Sequence, residues 1–220
     1  MHNFWQRLRN LTLEKFTRHL RNFFYKRAVL LVVLKKLDRL PNIQEPRLNV
    51  ECRLLGPGDI QQISDLSNLD QEKIKRFFKN GSKCLAAFYN DKLIAYSWCH
   101  YKDYYFPFFH YFLKVHQGVY IGPNFVDPQF RGQRVHGFLL TRMFAILFEE
   151  GYKYIWGSVV SDNYSSIKGL ISVGYTPQQQ VEVIRIFKII VYKNISAINQ
   201  WYAVKTLNRK FTLWQKADIR

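Results

Sequence analysis

VDPQFRGQRVHGFLLTRMFAILFEEGY, residues 126–152, decides how the rest of the chain is read. A run with strand character over 119–126 meets Pro128, which cannot donate to a sheet ladder, and passes into a short basic turn holding Gly132. Val135, Phe138, Leu139, Met143, Ile146 and Leu147 then recur at helical spacing, Phe144, Ala145 and Phe148 widen the stripe, and Gly151 supplies the stop. A helix apolar around most of its circumference belongs in a core, packed on a sheet.

The entry to this helix is where chemistry is expected. Its first turn has unpaired N–H groups at the positive end of the dipole, which is an anion site. Arg131, Gln133 and Arg134 crowd the same turn and add charge-assisted donors suited to phosphate oxygens. On spacing alone, a basic loop that merely caps a buried helix is the commoner reading.

Working outward, 153–160 reads as another strand, and SDNYSSIKGLISVGY, residues 161–175, offers Ser161, Asp162 and Asn163 as starts for a short helix ending at Gly174. This succession resembles the GNAT acyltransferase superfamily, in which a strand leads through Arg-Gly-x-Gly-x-Gly/Ala into a Leu-rich helix and a later Asn-x-x-Ala helix closes with Gly-Phe. Arg131 and Gly132 match the opening pair, Leu139 and Leu140 the helix, and Asn163, Ser166, Gly174 and Tyr175 the second block. Two family glycines are replaced by Arg134 and His136. The resemblance covers 48 to about 190 and implies a central mixed, mostly antiparallel sheet flanked by helices, splaying beside the entry at Arg131.

It also implies a donor substrate, acetyl-CoA or another acyl-CoA, and an amine acceptor. As the family does it, Phe125 and Val126 would offer backbone groups to the pantetheine arm. The turn of Arg131, Gly132, Gln133, Arg134, Val135 and His136 would hold the pyrophosphate, and Asn163 would support the arm. Arg134 is read as already helical, its side chain folded outward to pair with a phosphate rather than crowd it. Many family members carry a general-acid Tyr seven residues after the Asn; Leu170 stands there, and no catalytic residue is assigned. Transfer of a longer acyl chain from an acidic carrier protein, and a non-catalytic module of this fold bound to membrane or nucleic acid, are the rival readings.

Composition narrows the class. With 220 residues, 48% hydrophobic and 17% aromatic, the chain can bury a full core, and no run reaches the roughly 18 apolar residues of a membrane span. The net charge of +17 divides as +8 over 1–47, +3 over 48–180 and +6 over 181–220, so a nearly balanced centre carries two basic ends suited to an anionic partner. Cys52, Cys84 and Cys99 cannot all pair and show no metal-ligand spacing, which points to a reducing compartment and no metal site. With no signal-peptide pattern, the expected location is the cytoplasm, with peripheral contact at the inner membrane surface.

The chain is expected to divide into a basic amphipathic N-terminal arm, 1–47, and an acyltransferase domain, 48–220. Phe4, Trp5, Leu8, Leu11, Phe16, Leu20, Phe23 and Phe24 share one side of a helical wheel, with Arg7, Arg18, Arg21 and Lys26 opposite. Such a helix suits either an anionic membrane surface or packing on the domain. AVLLVVL, residues 28–34, is too short to span a bilayer, and Pro41 and Pro46 bracket a polar linker. A first strand over 49–55, two short helices around Ile63 and Ile74, and a hairpin turning at Asn90 and Asp91 follow. The aromatic run over 101–116 either lines an acceptor or acyl-chain pocket or buries its rings on the sheet. Residues 181–192 read as strand, and the tail from Trp201 interleaves aromatics with Lys and Arg, although no nucleic-acid motif supports that use.

Overall fold

The computed structural model describes residues 25–198 except Asn68 and Lys188. An eight-stranded sheet forms its centre, built from β1 (Tyr25–Lys36), β2 (Glu51–Leu55), β3 (Lys83–Tyr89), β4 (Lys92–His100), β7 (Gly118–Val126), β8 (Tyr154–Val160), β9 (Thr176–Ile186) and β10 (Ile189–Ala197). Two short strands, β5 (Tyr104–Phe106) and β6 (Tyr111–Leu113), pair separately. The large sheet runs in the order β10-β9-β1-β8-β7-β4-β3-β2, antiparallel at every step except β7 with β8. The expected mixed, mostly antiparallel sheet with flanking helices is what the chain forms.

Each face of the sheet has its own cover. On one side, α3 (Val135–Glu149) and α4 (Tyr164–Ser172) lie over Leu31, Val33, Leu85, Ile121 and Ile155, and Leu139, Leu140, Met143 and Leu147 are fully enclosed. On the other side, α1 (Ile60–Ser67) and α2 (Gln71–Lys79) bury Ile63, Ile74 and Phe77 against Trp98 and Tyr96. Next to them the aromatic segment packs Phe109, Tyr111, Leu113 and Val115 onto Leu30, Val32, Tyr120 and Val181. The rings of 101–116 therefore mostly serve as cover for the sheet, with Tyr105 and Phe112 left outward.

Hydrogen-bonding termini account for the element ends. Asp70 caps α2 through Lys73 N at 2.9 Å, and Asn163 caps α4 through Ser166 N at 3.2 Å. The hairpin of β3 and β4 turns on Asn90 and Asp91, both at positive φ as a two-residue turn requires.

The N-terminal reading needs correction. Residues 25–36, expected in an arm outside the domain, form a central strand, with Leu31 on Val159 and Gln180 and both faces buried. Continuous apolar character, VLLVVL, is what a strand covered on both faces requires. Nor is 37–47 a free linker. Arg47 N–H donates to Gln133 O at 2.9 Å, the Gln44 side chain lies over Gly137, and Gln44 N–H donates to Thr141 Oγ1 at 3.0 Å, so the segment straps one face of α3 at every fourth residue. The proposed helix over 4–24 and the tail from Trp201 lie outside the described residues.

Candidate functional site

The site begins where two parallel strands part. Pairing of β7 with β8 is confined to Gly118 with Tyr154, Val119 with Ile155 and Tyr120 with Trp156. Beyond that, β7 stays with β4 as far as Val126, and β8 stays with β1 as far as Val160. A wedge therefore opens toward the C-terminal ends of both strands. Gly122 sits at φ 148, and the register of β7 on β4 shifts between Ser97 and Cys99, so irregular backbone marks the start of the divergence.

Backbone alternation determines what β7 offers to the wedge. Asp127 N–H donates to Ile94 O, which makes Val126 and Ala95 a pair whose own polar groups point away from each other. Val126 thus presents its carbonyl on the wedge side, where Arg131 Nε donates to it at 3.3 Å. The same alternation turns the backbone groups of Phe125 toward Tyr96. Phe125 contributes its ring instead, stacked on that tyrosine at 6.0 Å. Of the two residues expected to lend backbone groups, the geometry favours Val126.

At the mouth of the wedge the chain makes a short 3-10 turn, Pro128–Phe130, capped by the Asp127 carboxylate on Gln129 N, and then enters α3. Gly132 lies at φ 80 with open space around it, and Arg134 lies at φ 62. The first helical bond is Phe138 N–H to Arg134 O. Among the described residues, the N–H groups of Gly132, Gln133, Arg134, Val135, His136 and Gly137 have no acceptor. Six consecutive free donors around two left-handed residues form a concave nest for an anion, with the exposed Arg131 and Arg134 at its rim.

Arg134 is therefore not helical, contrary to the expectation. It occupies the cap position in the left-handed conformation that a glycine would take without penalty. Its side chain is exposed all the same, so the guanidinium leaves the nest uncrowded. Val135 is buried and anchors the turn in the core. His136 packs against α4, where its Nδ1 would stand 3.1 Å from a Cβ at Gly169, so the absence of a side chain at Gly169 makes room for it. The residue is half-buried, but its Nε2 is enclosed with no partner, and burial lowers its pKa to about 4. A neutral imidazole filling the gap between the helices leaves the N–H nest open, and the turn fits a pyrophosphate.

Asn163 is committed to the fold at least in part, since its Oδ1 accepts from both Ser166 N and Ser165 Oγ. Leu170, seven residues after Asn163, is buried in the core. Sequence reasoning missed a hydroxyl pair at the floor of the wedge. Tyr120, the last β7 residue paired with β8, reaches Ser158 Oγ at 2.9 Å, and burial raises its phenol well above the usual range so that it stays protonated. A tyrosine inside a strand has no spacing signature; only its place at the divergence distinguishes it.

Nearby His100 is held neutral. Its Nε2–H donates to Gly122 O at 2.6 Å, Nδ1 accepts from Ser82 Oγ at 2.8 Å, and burial lowers its pKa to about 4. Phe77, Trp98, Tyr104 and Tyr120 surround the ring. This histidine braces the irregular stretch of β7 from the side away from the nest.

Comparison with known proteins agrees with this architecture. The model of the acetyltransferase (GNAT) family matches residues 53–170. A GCN5-related N-acetyltransferase from Sphaerobacter thermophilus shares the fold with TM-score 0.58 and 14% identity over 84% of this chain and 57% of that one. A GNAT-family protein from Novosphingobium aromaticivorans does so at 0.54 and 14%, over 71% and 63%. An acetyltransferase from the GNAT family of Colwellia psychrerythraea gives 0.51 and 15%, over 80% and 62%. This chain thus spans about three fifths of the length of these solved chains, and at such identities the likeness carries the fold alone. Sequence comparison with curated proteins finds no match.

Proposed function

Because the chain belongs to the GNAT acetyltransferase family, we propose that it transfers an acyl group, acetyl in the first instance, from acyl-CoA to an acceptor amine. The observation that carries this reading is the run of six unpaired N–H groups from Gly132 to Gly137 at the open end of the wedge. The donor, when bound, supplies a thioester that an amine can attack directly.

The residues of this chain bind, orient and exclude water. The N–H nest, with Arg131 and Arg134 at its rim, is suited to a pyrophosphate. The edge of β7 near Val126, unpaired among the described residues, offers strand-like hydrogen bonding to an extended amide-bearing arm, just as a missing neighbour strand would. From Val126 back to Tyr120 such an arm has about 20 Å of edge, at roughly 3.3 Å per residue. Much of the acceleration in such a site comes from holding two reactants in register. No side chain is assigned as acid or base.

Calorimetric titration with CoA and acetyl-CoA tests the reading. Saturable binding is expected in the wild type, and Arg131→Glu should abolish it by placing a carboxylate at the nest. A wild-type chain with no affinity for either ligand at millimolar concentration would overturn the proposal.

A further inference from the structure

Among the described residues, one corner of the sheet gathers several exposed apolar side chains. β1 passes β8 by five residues, since Leu30 is the partner of Val160 and Tyr25 to Val29 lie beyond it, a projection of about 17 Å at 3.4 Å per residue. Val29 O still accepts from Ser161 N, and before it β1 is paired, among the described residues, with β9 alone, which turns into the edge strand β10. Because β1 runs against β8, this projecting corner stands at the same end of the sheet as the open end of the wedge.

The corner is apolar where a soluble surface is normally polar. Tyr25, Ile186 and Ile189 form one cross-strand row on the side of the sheet that bears α3 and α4, and Arg27, Ile184 and Tyr192 form the next. Ile189 is 70% exposed and Val191 55%, with Tyr25, Ile186, Tyr192 and Ile195 each at least 40% exposed. Cations alternate with them along the strands, Arg27 on the same face and the others on the face behind. Lys26 and Arg185 hold the Phe108 ring from the opposite side of the sheet, at 4.8 and 5.0 Å, and Lys193 stands beside them with Nζ on His110 O. Against Lys26, Arg27, Arg185 and Lys193 these stretches of β1, β9 and β10 set one carboxylate, Glu182, which pairs with Arg27.

We propose that this corner docks on an anionic lipid bilayer surface. Aliphatic and tyrosine side chains at a projecting tip, with Lys and Arg alternating along the same strands, match the boundary between acyl chains and anionic headgroups in both polarity and charge. A second copy of the chain is the competing occupant, since β10 is an edge strand among the described residues. Charge disfavours it: antiparallel pairing of two β10 strands about their midpoint sets Lys193 against Lys193. Docking through the corner turns the open end of the wedge toward the lipid.

Co-sedimentation of the whole chain with phosphatidylcholine vesicles, with and without phosphatidylglycerol, tests the assignment. Binding is expected only with the anionic lipid and should weaken as salt rises. Ile189→Glu with Val191→Glu should lower the partition coefficient tenfold or more, and Lys26→Gln with Lys193→Gln should also lower it, with melting temperatures near wild type. The basic ends outside the corner are intact in these variants. Sedimentation of both variants equal to wild type would overturn the proposal, as would binding to neutral vesicles alone or no binding to either. A wild-type dimer in lipid-free sedimentation equilibrium, dissociated by Ile189→Glu with Val191→Glu, would assign the corner to self-association instead.

Discussion

Arg134 shows how one residue can be costly to the backbone and useful to the site. At φ 62 it carries the left-handed strain that a glycine avoids, about 1 kcal/mol, while its exposed guanidinium stands at the rim of the nest. Arg134→Gly separates the two effects. The ligand-free variant should melt a few degrees higher, since about 1 kcal/mol is worth roughly 2–4 °C in a domain of this size. Its affinity for CoA, read by calorimetry, should fall on the order of tenfold as a charge-assisted contact is lost. A glycine variant that binds more tightly would show that the arginine obstructs the site. His100 yields a second expectation. Its folded pKa of about 4 lies below the ordinary value of 6.5, so the unfolded chain takes up a proton that the native chain refuses. This contribution to stability is complete above pH 6.5 and is lost as pH falls toward 4, at up to about 1.4 kcal/mol per pH unit. Urea melts at pH 7 and 4.5 should differ in that sense, and by less in His100→Gln.

At the scale of elements, α3 is held on two sides, by the sheet beneath and by the strap over Gln133, Gly137 and Thr141. Thr141 is the better probe of the strap, because its buried Oγ1 accepts from Gln44 N while donating into its own helix at Gly137 O. Thr141→Val keeps the shape and orphans the Gln44 N–H, at a cost of about 1–3 kcal/mol. Faster hydrogen exchange at the Gln44 and Arg47 amides should accompany the loss, since both belong to the same strap. A silent substitution would mean that water satisfies that N–H equally well.

For the whole molecule, the decisive feature is that the N-terminal segment supplies the strand between β8 and β9. Without β1 the two remaining parts of the eight-stranded sheet, β2-β3-β4-β7-β8 and β9 with β10, share no strand pairing among the described residues, and side-chain contacts such as Tyr111 to Gln179 and Arg185 to Phe108 O are what joins β9 to the aromatic segment. Deleting residues 1–36 should therefore abolish cooperative melting rather than simply shed an arm. Leu31, fully enclosed, offers a graded version: Leu31→Ala should cost about 2–5 kcal/mol in a denaturant titration. A deletion that melted cooperatively near the wild-type temperature would refute this account of the sheet.

The amino-acid order determined α3, its glycine stop, a helix start within residues 161–163, the β3 to β4 hairpin and the basic turn at Arg131, because each depends on neighbours within one or two turns of chain. Period, capping and turn chemistry are local, and so is the motif that carried the family resemblance. The place of β1 was beyond that reach: AVLLVVL satisfies a buried strand and a surface-seeking segment equally, and only pairing with residues more than a hundred positions away decides between them. The same holds for Arg134, whose backbone conformation is imposed by the turn from the parting strand into the helix. It holds for Tyr120 and Ser158, which meet only because β7 and β8 diverge where they do. Short-range regularities were legible in the residues, whereas long-range register, and with it the shape of the site, came from the packing of the sheet.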